Sequence, residues 1–511
     1  MKIKIIYRLA FALTLIMSSC ADLDVKNINN PDVEGIQGSE EGMRTVASGL
    51  FHQWYQYEQH NYGSPGPAMW VMADWGTVTF ANYGTRDMSE EPRIYLDNDP
   101  AYAYHSITRN FFRAMYSANS NANEVVGAIK DGLTIEKDGV DETKMIEAMG
   151  FFVQGLTNGY VGLVFDKAYI SDENSTQDDL ANLPASSYME SIHKAVEQLE
   201  NTILICQTND FVVPAGWVGD KDLTSSDLEK IAHTYIARFL VYSARNLSET
   251  NAVDWATVLT HTQAGIDTDF NVYESKGLGD SSADNGLWIS WYKRYMARPD
   301  WGKVDMRVVN ILDNTQPANW PAEGIDAMPN GGVIRSADAR VASDFMFNSA
   351  NNRPDRGIYR WSTYRYQRFD DLINARMAGD VVMVRKAEND LLMAEAYLKL
   401  GNLTEASNVI NNGTRVTRGH LPTIGATEVE ITKALFYERT VELPLTGMGL
   451  EYFDMRRNDQ LQDGSLLHFP VPAQQNLTIQ LPDPYYTFGG LNPQYGTPGV
   501  DVAIGGWYKP E

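Results

Sequence analysis

The chain has 511 residues, of which 43% are hydrophobic and 11% aromatic. A chain of this length can bury a sizeable core without disulfides. Its 42 basic and 66 acidic residues give a formal net charge of −24, which argues against nucleic acid and anionic lipid surfaces as partners.

The N-terminal segment has the layout of a secretory signal peptide. Basic residues precede an apolar run from Leu9 to Met17, which is too short to span a bilayer as a mature helix of about 20 apolar residues. Two serines stand directly before Cys20, and a lipoprotein signal peptidase accepts such small residues before the cysteine. We therefore predict a signal peptide over residues 1–19 and lipidation of Cys20, which would hold the protein on a membrane without spanning it. An ordinary signal peptide cut near Cys20 is the alternative.

Residues 20–38 are polar and rich in asparagine, and they predict a tether between the lipid and a single folded domain over 39–511. If Cys20 is acylated, Cys206 is the one remaining cysteine, so no intramolecular disulfide can form. From Met43 onward, apolar residues recur at helical spacing, which predicts a mainly α fold with a helical scaffold over about 39–270 and 381–460.

Two helix starts are marked by capping-box spacing, Ser187 with Glu190 and Thr427 with Glu430. Two other segments have the spacing of small residues and tyrosine seen in tetratricopeptide-type helix pairs, the second matching only the first half of the pattern. These residues are Ala394, Tyr397, Gly401 and Ala406 in one segment, and Ala232 and Tyr235 in the other. We predict irregular tetratricopeptide-like repeats.

The helical rhythm stops between about Asn271 and Asp380, between Tyr62 and Pro100, and in a C-terminal tail over 461–511. Long loops on a rigid helical body usually carry function. We therefore expect the ligand face on a loop-rich insertion over about 271–380, together with the early loop region.

Familiar catalytic motifs are absent from the sequence. No histidine is followed by glutamate, and neither a nucleophile elbow nor a phosphate loop occurs. We accordingly predict no catalytic residue, no cofactor and no metal. Since a pair of carboxylates suffices for a glycosidase, a surface glycoside hydrolase of helical architecture stays open as an alternative.

Aromatic residues are concentrated in the two loop regions. A flat aromatic ring stacks on the apolar face of a sugar, while Asn, Asp and Arg side chains hydrogen-bond the hydroxyl groups at its edge. The early cluster is Trp70, Asp74, Trp75, Asn82, Tyr83 and Arg86, and the late cluster is Trp288, Trp291, Tyr292, Tyr295, Trp301 and Trp320. As a group they predict a carbohydrate platform, whereas any single ring taken alone is better explained as a core or loop anchor.

The C-terminal region contains a distinctive run of residues. It consists of Glu438-Arg439, Val441-Glu442-Leu443, Gly447, Tyr452-Phe453-Asp454-Met455-Arg456-Arg457 and Phe469-Pro470-Val471-Pro472. This run resembles the hallmark of the SusD/RagB family of nutrient-binding lipoproteins. The similarity extends over the mature chain, from the segment Met145 to Leu163 through the helix pair Arg385 to Arg418. Pro444 departs from the pattern and is expected to end a helix.

The resemblance implies a cell-surface protein of the outer membrane that binds a glycan, or in some members a peptide. It implies delivery to a SusC-like TonB-dependent barrel, over which the lipoprotein closes as a lid. From the early and late loops of the family we select the ligand-binding candidates Trp75, Asn82, Arg86, Trp288, Trp291, Tyr292 and Trp301. A scaffold that binds peptides in a tetratricopeptide groove is a further alternative. We interpret Glu438, Arg439, Glu442, Asp454 and Arg456 as ion pairs between helices.

Overall fold

The computed structural model describes residues 39–473 apart from 79–81, 90–92, 94–95, 97, 99, 300, 318–332 and 349–361. Several predicted features lie outside these residues: the signal peptide, Cys20, the tether, Trp320 and the tail beyond residue 473. What the sequence predicts for them stays a prediction. In the ranges described, no helix has the length and apolar character needed to cross a membrane.

The first half of the described chain contains the longest helices, joined by short hairpins. Its elements are α1 (Glu40–Glu58), α2 (Gly66–Met72), β1 (Gly76–Val78), α3 (Thr85–Ser89), α4 (Ser106–Lys130), β2 (Glu136–Lys137), β3 (Val140–Asp141), α5 (Thr143–Val164), β4 (Lys167–Ala168), α6 (Gln177–Ala181), β5 (Ser186–Ser187), α7 (Tyr188–Thr208), β6 (Val212–Val213), β7 (Leu223–Thr224), α8 (Ser225–Tyr242), α9 (Leu247–Ala252) and α10 (Trp255–Gln263).

The second half begins with short elements and returns to helices. Its elements are β8 (Phe270–Glu274), a 3₁₀ turn (Ser282–Asp284), α11 (Trp291–Met296), β9 (Gly302–Val304), α12 (Met306–Leu312), α13 (Arg340–Asp344), β10 (Phe345–Phe347), β11 (Tyr364–Tyr366), α14 (Asp370–Asn374), β12 (Gly379–Val384), α15 (Lys386–Lys399), α16 (Leu403–Asn412), α17 (Thr414–Thr417), α18 (Glu428–Glu442) and α19 (Leu450–Arg457).

Helix α5 is the centre of the scaffold and packs against α1, α4, α7 and α8. Glycines on α5 allow the close approach. A Cβ at Gly159 would lie 2.2 Å from Cε2 of Phe239, and a Cβ at Gly155 would lie 2.6 Å from Cγ of Leu199. Side chains at either position would push the neighbouring helices apart.

The predicted helix starts are confirmed. Ser187 caps α7 by accepting from the main-chain N–H of Glu190, whose carboxylate accepts in return from the N–H of Ser187 at 2.7 Å. Thr427 caps α18 by accepting from the N–H of Glu430. Helix α18 ends at Glu442, before Pro444, as its sequence predicts.

The predicted helix pair is formed by α15 and α16, which pack on each other and on α18. Ala394 and Ala406 are fully buried between them, and Gly401 occupies the turn at a φ of +78° that favours glycine. Ala232 and Tyr235 are likewise buried in α8. The mainly α, repeat-like fold predicted from the sequence is therefore confirmed.

Two of the predicted ion-pair residues, Glu438 and Glu442, connect α18 to Arg340 at the start of α13. The buried guanidinium of Arg340 lies 2.6 Å from Oε2 of Glu438 and 3.2 Å from Oε2 of Glu442. Glu442 also accepts from Arg368 and Arg418, each at 2.6 Å. Carboxylates and guanidiniums therefore neutralise one another where solvent is excluded.

A second buried cluster joins α15, α18 and α19. The carboxylate of Glu395 accepts from Arg439 at 2.6 Å and from Arg457 at 2.8 Å, and Arg457 lies 2.6 Å from Asp454. The prediction for Arg456 is wrong, because its guanidinium donates to the main-chain carbonyl oxygens of residues 163, 242 and 467. Arg456 satisfies carbonyl groups at the ends of α5 and α8, which a helix leaves unpaired.

Candidate functional site

The two loop regions meet at a short antiparallel strand pair. Strand β1 pairs with β9 in the register Gly76 to Val304 and Val78 to Gly302. A Cβ at Gly302 would lie 1.8 Å from the carbonyl oxygen of Met296, so the chain folds back tightly after α11. This pairing holds the early loop beside α11 and the residues that follow it.

Four aromatic rings follow one another across this junction, and we call them the aromatic row: Tyr62, Tyr83, Tyr295 and Trp301. Ring centroids are 5.5 Å apart between Tyr62 and Tyr83, 5.3 Å between Tyr83 and Tyr295, and 4.7 Å between Tyr295 and Trp301. The hydroxyl of Tyr295 donates to Oδ1 of Asn82. The row is therefore built by both loop regions together.

Exposure differs along the row. Tyr62 is 47% exposed, Tyr83 and Trp301 are half-buried, and Tyr295 is buried beneath them. Burial raises the pKa of the Tyr83 and Tyr295 phenols above their ordinary value. Both hydroxyls therefore stay neutral at physiological pH and keep their protons for hydrogen bonding.

Tyr83 has a left-handed backbone, with a φ of +55°. This conformation is uncommon for a residue other than glycine, and such positions are concentrated at functional sites. Gly84, the next residue, has a φ of +71°, and the two together turn the chain into α3. The turn presents the Tyr83 ring between Tyr62 and Tyr295.

One arginine lies against the row and another against the nearby Trp291. The guanidinium carbon of Arg298 lies 4.5 Å from the centre of the Trp301 ring, and that of Arg294 lies 5.2 Å from the centre of the Trp291 ring. Arg86, on α3, is half-buried. The guanidinium of Arg298 thus supplies hydrogen-bond donors beside a ring of the row.

Three of the selected candidates are part of the core, which corrects their predicted place on an open platform. Trp75 is buried, donates from Nε1 to the carbonyl oxygen of Thr440 at 2.8 Å, and meets Tyr366 edge to face at 5.1 Å. Trp288 and Tyr292 are fully buried as well. Their ring faces are covered by protein because the loop segments fold inward onto the scaffold.

The other four candidates, Asn82, Arg86, Trp291 and Trp301, are partly exposed. The structure brings Asn82 and Trp301 together through Tyr295, while Trp291 stands at the start of α11 beneath Arg294. Their contact with a ligand stays a prediction.

Sequence reasoning did not select the tyrosines of the row. Tyr83 and Tyr295 belong to the predicted clusters but are not among the candidates selected from the resemblance. Tyr62 stands at the edge of the early loop region and was missed. Exposure depends on what packs over each ring, and the spacing of residues in these loops contains no such information.

No group of three or more His, Cys, Asp or Glu side chains is placed to hold a metal ion in the part of the chain that the structure covers. Cys206 is buried and unbridged, and burial raises the pKa of its thiol to about 12, which makes it unreactive at neutral pH. Neither a metal site nor a reactive thiol is therefore indicated among the described residues.

The sequence matches no protein-family profile and no curated protein. Solved structures of the SusD-like fold superpose on most of this chain. A SusD superfamily protein from Parabacteroides distasonis has a TM-score of 0.60 at 13% identity, covering 86% of this chain and 98% of its own.

Two further structures are described as SusD-like carbohydrate binding proteins. One, from Bacteroides vulgatus, has a TM-score of 0.56 at 18% identity and covers 83% of this chain and 85% of its own. The other, from Bacteroides fragilis, has a TM-score of 0.54 at 13% identity and covers 82% and 86%. At these identities the comparison shows the fold.

Proposed function

We propose that this chain, which has the SusD-like fold, binds a glycan on the aromatic row and does so without cleaving it. The observation that carries the proposal is the row of ring contacts from Tyr62 to Trp301, bordered by Asn82 and Arg298. The partly exposed rings of Tyr62, Tyr83 and Trp301 offer apolar faces to sugar rings, with buried Tyr295 supporting them from beneath, and the neighbouring amide and guanidinium groups bind the sugar hydroxyls.

Carbohydrate binding by structures of the same fold supports this proposal. The mode of binding is supported by the side chains themselves, because rings that stack on sugars need open faces and Tyr62 has one, at 47% exposure. A peptide scaffold would instead use the interior of the helical repeats. There the small residues Ala394 and Ala406 are closed off by packing.

We further propose that the protein is lipid-anchored at Cys20 in the outer membrane and delivers its glycan to a SusC-like TonB-dependent barrel. The N-terminal segment and the C-terminal run of the sequence support this. One or more acyl chains would hold the folded domain at the membrane surface. The aromatic row would then face a transporter that takes up the bound chain.

The experiment is a binding and hydrolysis assay on the mature protein. Soluble starch, pullulan, xylan, arabinan, pectic galactan, polygalacturonate and a peptide array serve as probes, and affinity electrophoresis and calorimetry measure binding. We expect one glycan class to bind with no increase in reducing ends. Reproducible release of reducing ends would support the hydrolase alternative, and binding to peptides alone would overturn the glycan proposal.

Tyr62→Ala and Trp301→Ala test the location of the site. Stacking of a planar ring on an aromatic side chain is worth about 1–3 kcal/mol in a related system, so we expect roughly a tenfold loss of affinity for each variant. Phe347→Ala is the matched control, because Phe347 is similarly exposed at 50% but lies outside the row. If Tyr62→Ala and Trp301→Ala both keep the affinity of the wild-type protein, the glycan binds elsewhere.

A further inference from the structure

We propose that a polar groove between α1 and α4 continues the aromatic row and binds further sugar units of the same glycan, so that the natural ligand is an extended chain. This inference rests on the proposed function. The groove encloses about 350 Å³. Its polar and aromatic lining is Gln53, Gln56, Tyr57, Asn110, Arg113 and Ser117.

The groove follows from the spacing of residues on the two helices. Gln53, Gln56 and Tyr57 lie three and four positions apart on α1, and thus on one face. Asn110, Arg113 and Ser117 have the same relation on α4. The two faces meet above the packed core. Between them the small side chain of Ala114 leaves space for the groove.

Several polar groups in the groove are available to a ligand. Among the residues that the structure describes, the side chains of Gln56 and Arg113 have no hydrogen-bond partner. The amide oxygen of Gln53 accepts from Asn121 at 2.8 Å, and that of Asn110 accepts from Arg109 at 3.0 Å. The amide nitrogens of Gln53 and Asn110 are thereby oriented as donors.

These groups fit the hydroxyls of a sugar. Amide and guanidinium side chains donate two or more hydrogen bonds each, and the amides also accept. Tyr57 adds a ring at the edge of the groove. The combination of amides, one cation and one ring repeats the composition of the aromatic row and its border.

The groove is joined to the row by aromatic contacts. The ring of Tyr57 is stacked on that of His60, with 5.9 Å between centroids and 23° between planes, and His60 meets Tyr62 at 4.3 Å. Nδ1 of His60 accepts from the N–H of Gly63 at 3.1 Å, which fixes the ring in this position. A chain stacked on Tyr62 can therefore continue over His60 and Tyr57 into the groove.

A site of this shape makes affinity depend on chain length. A short oligosaccharide fills the row alone, whereas a longer one also reaches Gln56 and Arg113. Loss of the groove contacts should weaken only the longer ligand. Loss of a ring in the row should weaken both.

The experiment compares the disaccharide and the octasaccharide prepared from whichever polysaccharide of the panel is retained. Calorimetry is done on the mature protein, on Gln56→Ala/Arg113→Ala, and on Trp301→Ala. Gln177→Ala/Lys433→Ala is the control, since it removes an exposed amide and an exposed cation outside the groove. Thermal melts check that every variant is folded.

We expect the groove variant to lose about fivefold or more in affinity for the octasaccharide, with the disaccharide unchanged. Unchanged octasaccharide affinity, or an equal loss for both lengths, would overturn the groove proposal. In either case a loss in Trp301→Ala would leave the proposed function standing. If no polysaccharide of the panel is retained, the proposed function fails and the groove proposal fails with it.

Discussion

Tyr295 and Asn82, which stand 213 positions apart, are joined by a hydrogen bond from the phenol to the amide oxygen. This bond connects α11 to the turn before α3 and so holds together the two halves of the aromatic row. We expect Tyr295→Phe to weaken glycan binding by about two- to tenfold, because one hydrogen bond contributes about 0.5–1.5 kcal/mol. Calorimetry checks this against Tyr397→Phe, which removes a hydroxyl bonded to Gln263 at 3.0 Å outside the row.

Trp75 and Trp301 should respond in opposite ways to truncation. Trp75 is 1% exposed and bonded to the main chain at 2.8 Å, so Trp75→Ala should cost about 3–5 kcal/mol of unfolding free energy through the cavity that it leaves. Trp301→Ala should change stability little and reduce glycan affinity. Urea unfolding and calorimetry on both variants measure the contrast. A stable Trp75→Ala protein with lost affinity would return Trp75 to the binding site.

Arg340 should be essential to stability. Its buried guanidinium interacts with the carboxylates of Asp338, Glu438 and Glu442 at 2.6–3.2 Å. Arg340→Met leaves these acids without their shared cation, and removal of one partner from a buried ion pair costs about 3–5 kcal/mol.

The matched control for this variant is Arg376→Met. Arg376 lies 2.8 Å from Asp280 on the surface, where the two side chains are 55% and 95% exposed, and such pairs contribute at most about 1 kcal/mol. Urea unfolding of both variants tests the difference. Equal stabilities would show that the neighbouring arginines compensate for Arg340.

Stability should fall in mild acid through a histidine pair. Nδ1 of His233 and Nδ1 of His261 are 2.8 Å apart, so one ring donates to the other as long as the accepting ring is neutral. Burial, and then the neighbouring His233, lowers the pKa of His261 to about 4. The unfolded chain therefore binds a proton near pH 6.5 that the folded chain does not, and stability present above pH 6.5 is lost as the pH falls towards 4.

His261→Gln should remove this part of the pH dependence, and His193→Gln, an exposed control, should keep it. Urea unfolding between pH 7 and pH 4.5 gives the measurement. Identical pH profiles for wild type and His261→Gln would contradict the prediction.

Cys20→Ala should leave the protein folded but release it from the membrane, because the acyl chains supply the attachment. Fractionation of cells that lack the partner barrel tests this. Variant protein that stays in the outer membrane through washing would show that the anchor is not at Cys20.

The helical architecture follows from local sequence signals. The caps at Ser187 and Thr427, the end of α18 before Pro444, and the small residues Ala394 and Ala406 are all as predicted. Helix periodicity, capping and close packing depend on residues a few positions apart, so they can be predicted from the sequence alone. The C-terminal run of residues 438–457 also predicted the buried ion pairs, apart from that of Arg456.

The aromatic row, in contrast, was decided by tertiary structure. The sequence placed Trp75 and Trp301 in the same class of platform residue, yet Trp75 is buried against Tyr366 and the carbonyl of Thr440, while Trp301 is half-exposed. In these loops no periodicity marks an inner and an outer face, so composition indicates that rings are present without showing which faces stay open. That choice is made by segments more than two hundred positions apart, when Tyr295 meets Asn82.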